Sequence, residues 1–347
     1  MKKRTKILFC IDTLSGGGAE KVLIDILNQI DNSKYDINLL VLENFGVYFT
    51  KIPSYVNCIA SDDMNHDTMG YDVGVAFLEG SATKYISQKT NILRKIAWVH
   101  TDLFNNHWSH VFFRNKEEEK ECYNNMDKIV FVSEMAQMMF NQLFENINVA
   151  KQKVIYNLID KENINNKKVP VIAKQRQVLC TVGRLIPQKG YFRLIPILYK
   201  LLKEDKLDFD FWFVGDGFQK EELQNLAISY GIEKSITFWG FRQNPYPYMN
   251  TADIFVSSSF VEGFSIVIAE ALCLGKPIIA TAVTGSTELL DNGKYGLLVE
   301  PDDESLYRGL KKIIIDKYLR EELSDKAKIR SQIFNKETTM KEIYSIF

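Results

Sequence analysis

Short runs rich in Ile, Val and Phe alternate with segments whose apolar residues recur every three or four positions, and this alternation begins twice in one chain. Strand-forming runs followed by helical periods are the pattern of βα units, which assemble into parallel sheets. In the first half KILFCID, DINLLVL, DVGVAFL, KIAWVH, KIVFVS and KVIYNLI are expected as strands, with helices such as AEKVLIDILNQI and EMAQMMFNQLF between them. The polar stretch 160–177 interrupts the pattern, and QVLCTVG restarts it, followed by FDFWFVG, SITFWGF, IFVSSS, PIIAT and GLLVE. Each half opens with a strand, a glycine-bearing loop and a helix: CIDTLSGGGAEK, then CTVGRLIPQKG. The expected fold class is α/β, with two Rossmann-like domains at 1–165 and 166–335. Ligands of such domains bind beyond the carboxyl ends of the strands, in a cleft that two domains in series create. A last helical segment, 336–347, is expected to pack back on the first domain.

Composition narrows the partners. A chain of 347 residues with 46% hydrophobic and 25% charged residues suits two globular domains. A formal net charge of −1 offers no global attraction to nucleic acid, and none is expected as a partner. The five cysteines are odd in number, far apart and free of CxxC spacing, as reduced thiols of a cytoplasmic protein would be. After the basic start MKKRTK the apolar run is only ILFCI before Asp12, too short for a signal-peptide core. No segment approaches the roughly 20 apolar residues that span a bilayer. Membrane contact is therefore expected to be peripheral, with MKKRTK and FNNHWSHVFFRNK as candidates, although EEEKE follows and works against a broad cationic face.

The loop SGGGAEK removes Cβ atoms just ahead of a helix, so backbone amides and the positive helix end can approach an anion. The same residues also make an ordinary strand-to-helix turn. A dinucleotide fingerprint needs GxGxxG; Gly16 and Gly18 supply its first half, but position 21 is Lys, while Glu43 would suit a ribose. A nicotinamide-dependent oxidoreductase is thus an alternative that lacks one glycine. No stretch reads GxxxxGK followed by Ser or Thr, which leaves out a Walker-type hydrolase.

In the second half VGRLIPQKG places Arg184 and Lys189 in the loop after Gly183. Either both are solvated surface charges, or a planar fork and a point charge converge on one diphosphate. FVEGFSIVIAEALCLGKP is expected to begin a helix at Gly263 and Phe264, with Glu262 just ahead of it and Glu270 eight positions further on. A carboxylate inside IVIAEALCL loses its hydration unless something partners it. Eight helical residues cover about 12 Å, the scale of a nucleotide sugar's diphosphate. Glu262 at a sugar and Glu270 at ribose hydroxyls is the reading that uses both acids.

His100 in AWVHTD closes a first-half strand, as a structural residue or as a group near the acceptor or the sugar. Asp102 is placed to orient it or to bind the acceptor. His100, Asp102, His107 and His110 are ligand types for zinc, but HWSH spacing is commonplace and no metal is expected.

GRLIPQKG, VGDG, FWGF, SSSFVEGFSIVIAEALCLGKPIIAT, GSTELL and GLLVEPDD, in that order and spacing, resemble glycosyltransferase family 4, retaining enzymes of the two-domain GT-B architecture. The resemblance covers Val178 to about Asp303; in the first half SGGGAEK and AWVHTD fit members of the capsule and lipopolysaccharide type. It implies a hexose or N-acetylhexosamine transferred from a nucleotide sugar, with UDP favoured. The implied acceptor is a glycan hydroxyl, lipid-linked in a bacterial surface polysaccharide pathway at the inner face of the membrane. It also implies that Arg184 and Lys189 bind the diphosphate, that Glu262 and Glu270 are an E-x7-E pair at sugar and ribose, and that Gly263, Phe264 and Ser265 offer backbone amides. Gly17 would approach the distal phosphate, and Phe241 and Arg242 would meet the base. The implied chemistry needs no cofactor and no metal, and Glu262 either takes part in it or only holds the sugar. A metal-dependent transferase would lean on a DxD motif; Asp208 and Asp210 form DFD, but at the opening end of a strand. A non-catalytic partner subunit would have lost some of these residues, and Arg184, Lys189, Glu262 and Glu270 are all present.

Overall fold

The computed structural model describes residues 3–60 and 68–347, so Met1 and Lys2 of MKKRTK lie outside the described residues. It divides into two compact units, the chain up to Leu158 together with Lys336–Phe347, and Ile159–Asn335. The first unit is built on a parallel sheet of seven strands: β1 (Thr5–Ile11), β2 (Tyr35–Val41), β3 (Asn57–Ala60), β4 (Val73–Ala76), β5 (Arg94–Val99), β6 (Lys128–Phe131) and β7 (Gln152–Val154). Their order is β3-β2-β1-β4-β5-β6-β7, so the chain reverses its direction of growth between β1 and β4. The second unit carries six parallel strands: β8 (Gln177–Val182), β9 (Phe209–Val214), β10 (Ile236–Gly240), β11 (Ile254–Ser257), β12 (Ile278–Thr281) and β13 (Leu297–Val299). The order β10-β9-β8-β11-β12-β13 repeats that reversal between β8 and β11. These are the two sheets of a GT-B fold, and in sheets of this kind ligands bind outside the carboxyl ends of the strands at such a reversal.

Strand β9 shows why such runs are nearly continuous in apolar residues. Phe209, Phe211 and Phe213 enter one core with Ile195 and Leu198, while Trp212 and Val214 enter another with Cys180 and Ala252. Both faces are covered, as parallel sheets require. Arg176 bonds both aspartates of DFD, at 2.9 Å for Asp208, and so fastens the opening end of β9.

The C-terminal helix, Lys336–Tyr344, belongs to the first unit. Its Tyr344 ring stacks on Tyr35 at 5.4 Å, and the Tyr344 hydroxyl accepts from Asp31 N and donates to Gln29 O. Arg94 donates to the Phe347 carbonyl at 3.0 Å.

Three details differ from what the sequence leads one to expect. The short edge strand β3 has no counterpart in it, because NCIA is half exposed and lacks a strand-like run. KVIYNLI pairs only as far as Val154. The boundary expected at 165/166 falls at 158/159, because the helix Lys161–Asn166 packs in the second unit. There Ile164 is buried, and Lys161 Nζ reaches Ser331 Oγ at 2.9 Å. Among the described residues no helix is long and apolar enough to cross a membrane.

Candidate active site

After β8 the chain makes one turn of 3-10 helix, Pro187–Lys189, closed by Gly190 at φ +66°, a left-handed conformation open to glycine without a Cβ clash. The glycine is needed twice, since a Cβ there would lie 2.3 Å from the Ser258 carbonyl oxygen. This close approach locks two loops together. Phe260 N donates to Gln188 O and Ser258 Oγ to Lys189 O, both at 2.8 Å. Arg193, largely buried, donates to Ser258 O at 2.9 Å and lies 4.3 Å over the Phe260 ring.

The result is a charge pair at the carboxyl ends of β8 and β11. Lys189 Nζ stands 2.5 Å from Glu262 Oε1, and Ser259 Oγ donates to the same oxygen at 2.7 Å. With side chains only 21% and 12% exposed, Lys189 and Glu262 interact in a medium less polar than bulk water. The two cations of the loop after β8 thus have different surroundings. Arg184 is exposed and makes no ion pair among the described residues. Gly183, beside it, donates its N–H to Val214 O at 3.0 Å.

The helix expected from Gly263 starts later, at Ile266, with Ser265 in extended conformation as its N-cap. The reason is the anchoring of the preceding turn. Gly285 N donates to the Glu262 carbonyl at 2.7 Å, and Gly285 sits so close that a Cβ would fall 2.9 Å from Phe264 N and 3.0 Å from Glu262 O. The amides at the helix head are thus those from Ile266 onward. Ser265 Oγ is buried and takes no hydrogen bond. Glu270, four residues into the helix and 2% exposed, accepts from the Tyr246 hydroxyl at 3.0 Å. After β10, Phe241 is exposed, and the Arg242 guanidinium lies 5.6 Å from the Tyr248 ring and 5.9 Å from that of Trp239.

The remaining candidates are in the first unit. His100 is buried just after β5 against Phe77, its Nε2 without a hydrogen-bond partner. Burial pushes its pKa down to about 3, so the ring is neutral. Asp102 is buried too, and Asn105 takes both its oxygens, through its amide N–H at 3.0 Å and its side chain at 2.7 Å. Glu79, after β4, fixes the turn that carries His100. One of its oxygens accepts from His100 N, Thr101 N and Thr101 Oγ1 at 2.7–2.8 Å. Gly17 caps the helix Gly18–Leu27, and a Cβ on it would lie 2.2 Å from Glu20 Oε2. The Glu20 carboxylate thus already stands at the helix end that SGGGAEK was expected to offer to phosphate, and an incoming anion would have to displace it. His107 pairs with the buried Glu119 at 2.7 Å, and no group of three or more His, Cys, Asp or Glu among the described residues is arranged to hold a metal ion.

Asp12, at the carboxyl end of β1, has a pKa raised to about 7 by burial, against a hydrogen bond from Ala82 N, and then by the charges of Glu43, Glu79 and Glu20. A carboxyl raised in the folded state contributes stability in full below its unfolded pKa of about 3.9, and loses it as pH rises through about 7. Asp12→Asn keeps an oxygen for Ala82 and removes the titration. It is expected to unfold at a higher temperature than wild type at pH 8, with the gap narrowing as pH falls toward 4. A gap that is flat with pH would show that Asp12 does not titrate in this way.

Ser259, Tyr246, Arg193 and Gly285 have roles that the sequence does not announce. Tyr246, Arg193 and Gly285 act on partners more than twenty residues away, and Ser259, three residues from Glu262, is one of three adjacent serines that nothing in the sequence tells apart.

With this geometry in hand, likeness to other proteins can be read. Residues 162–330 match the family described as glycosyl transferases group 1. Over 198 residues the chain is 35% identical to a Campylobacter jejuni enzyme named N-acetylgalactosamine-N,N'-diacetylbacillosaminyl-diphospho-undecaprenol 4-alpha-N-acetylgalactosaminyltransferase. That match takes in 56% of this chain and 53% of the relative, so it spans about half of the relative's length. An uncharacterized Haemophilus influenzae glycosyltransferase is 22% identical over 96% of this chain and 97% of its own. Among solved structures, Anabaena HepE in complex with UDP superposes with a TM-score of 0.78 at 25% identity, covering 98% of each chain.

Proposed function

We propose that the chain is a glycosyl transferase of the group 1 type that residues 162–330 match, and that it moves a hexose or N-acetylhexosamine from a UDP-sugar to a glycan hydroxyl, with retention at the anomeric carbon and without a metal. The observation that carries this reading is the Lys189–Glu262 pair at 2.5 Å at the head of the helix that buries Glu270. Its elements supply what a departing nucleoside diphosphate needs. Lys189 offers a cation and the helix head offers amides, so negative charge that develops on the leaving phosphate is met by groups already in place, and Arg184 can join them from solvent. Glu270, held by Tyr246, is fitted to accept from ribose hydroxyls. Phe241 and Arg242 offer an exposed aromatic face and a guanidinium to the base.

In the proposed transfer the bond from the anomeric carbon to the diphosphate oxygen breaks, and its electron pair leaves with UDP. The acceptor oxygen forms the new bond on the same face, and its proton passes to the departing phosphate oxygen. Glu262 stabilises or orients the sugar as positive charge builds on it. His100 and Asp102, on the acceptor-binding unit in this reading, contribute a neutral ring and a fixed turn rather than an ionised base. The UDP complex of HepE supports the nucleotide, and the undecaprenol-linked substrate in the Campylobacter relative's name supports a lipid-linked acceptor.

A thermal-shift screen over nucleotide sugars tests the assignment. Ligand at about 100 times its Kd adds on the order of 2.7 kcal/mol through linkage. One UDP-sugar is expected to raise the unfolding temperature clearly; a shift with NAD and none with any nucleotide sugar would favour the oxidoreductase alternative. Gly285→Ala is expected to weaken that UDP-sugar about tenfold, because an added methyl forces the Glu262–Phe264 backbone outward at a cost of about 1–3 kcal/mol. Unchanged affinity in Gly285→Ala would mean that this turn does not touch the donor.

A further inference from the structure

Strand β11 ends at Ser257, and the loop that follows carries Ser258 and Ser259, whose two hydroxyls have different employment. Ser258 holds the Lys189 carbonyl. Ser259 is buried, and its hydroxyl donates to Glu262 Oε1 at 2.7 Å. The Ser259 carbonyl in turn accepts from Thr281 Oγ1 at 2.6 Å, which ties this point of the loop to the end of β12. Lys189 reaches the same Glu262 oxygen at 2.5 Å. Both donors therefore converge on Oε1, while Oε2 takes no hydrogen bond from the described residues.

The two donors are not equivalent anchors. An ammonium on a four-carbon stem has three rotatable N–H groups and can follow a carboxylate that turns. A serine hydroxyl one bond from a tethered backbone cannot. We propose that Ser259 is a positioning residue for glycosyl transfer: by holding Oε1 from a fixed point, it sets the rotation of the Glu262 carboxylate and presents Oε2 to the transferred sugar. The inference rests on the proposed function and deepens it, since it makes the orientation of Glu262, and not only its charge, part of the site. Without Ser259 the carboxylate keeps its charge and its lysine but swings about that single contact. Small misplacements of a reacting constellation are costly in rate even where binding survives.

The experiment follows UDP release from the UDP-sugar that wild type prefers, with water as acceptor where no glycan is supplied. Ser259→Ala, which removes one oxygen, is expected to lower kcat about tenfold with donor KM within about twofold of wild type. Ser259→Thr keeps the hydroxyl and is expected to recover most of that loss. In a Glu262→Ala background, Ser259→Ala is expected to change kcat by less than about twofold, because the group it positions is gone. A general weakening of the fold would instead lower the rate equally in both backgrounds. Wild-type kcat in Ser259→Ala, or a tenfold loss that persists without Glu262, overturns the inference. Wild-type protein that releases UDP from no UDP-sugar overturns the proposed function itself.

Discussion

Glu262→Ala is expected to slow UDP release from a UDP-sugar by roughly 10²- to 10³-fold, the range seen when one preorganised electrostatic contact is removed from an active site. Two losses combine in this variant. The carboxylate that would face the sugar disappears, and Lys189 is left without the partner that holds its ammonium 2.5 Å away. A lysine freed in this way retains its charge but spreads it over many rotamers, so its stabilisation of the leaving phosphate also falls. The fold itself should survive, because the pair is partly exposed and the uncovered ammonium can reach water. Glu262→Gln separates the two effects: its carboxamide oxygen still accepts from Ser259 and Lys189, so the shape is kept while the charge is lost. An intermediate rate for Glu262→Gln is expected. A rate within about threefold of wild type for Glu262→Ala, in protein that unfolds at the normal temperature, would remove Glu262 from the mechanism.

Gly190→Ala is expected to cost about 3 kcal/mol of stability in the second unit and most of the activity with it. A side chain at φ +66° is itself unfavourable by roughly 1–2 kcal/mol. The larger effect is steric, since the new Cβ would meet the Ser258 carbonyl at 2.3 Å and both partners are backbone. The loops after β8 and β11 would have to part. That movement breaks the bonds from Ser258 Oγ to Lys189 O and from Phe260 N to Gln188 O, and it carries Lys189 away from Glu262. Thermal unfolding and UDP release, measured together, check the prediction. A variant that keeps both near wild-type values would mean that the loop contact is incidental to the site.

The two halves of the fold were legible because parallel strands covered on both faces leave long apolar runs, as FDFWFVG does, and because glycine-bearing loops follow the first strand of each half. The helix around Glu270 was legible for the same reason, its acid standing out against IVIAEALCL. What could not be read was pairing within the protein. Sequence spacing offered Arg184 and Lys189 either as solvated charges or to one phosphate, and did not show that the clamp between the loops after β8 and β11 sets Lys189 against Glu262 while Arg184 stays exposed. The helix start slid from Gly263 to Ile266 because Gly285, more than twenty residues away in the chain, draws the turn against itself. SGGGAEK looked open to an anion, and only the folded chain reveals that Glu20 from the next turn reaches back over Gly17. Ser259 and Tyr246 belong to this class as well, side chains of common type whose significance lies wholly in the carboxylates they meet.

Calorimetric titration of UDP into wild type and Lys189→Ala addresses the nucleotide site with the fewest intervening steps, because it needs neither the sugar nor the acceptor. Wild type should bind one UDP per chain, and Lys189→Ala should bind it at least about tenfold more weakly, a loss of about 1.4 kcal/mol. Equal affinity in the two proteins, or no binding of UDP to wild type at all, would contradict a nucleotide-sugar site built on Lys189 and Glu262.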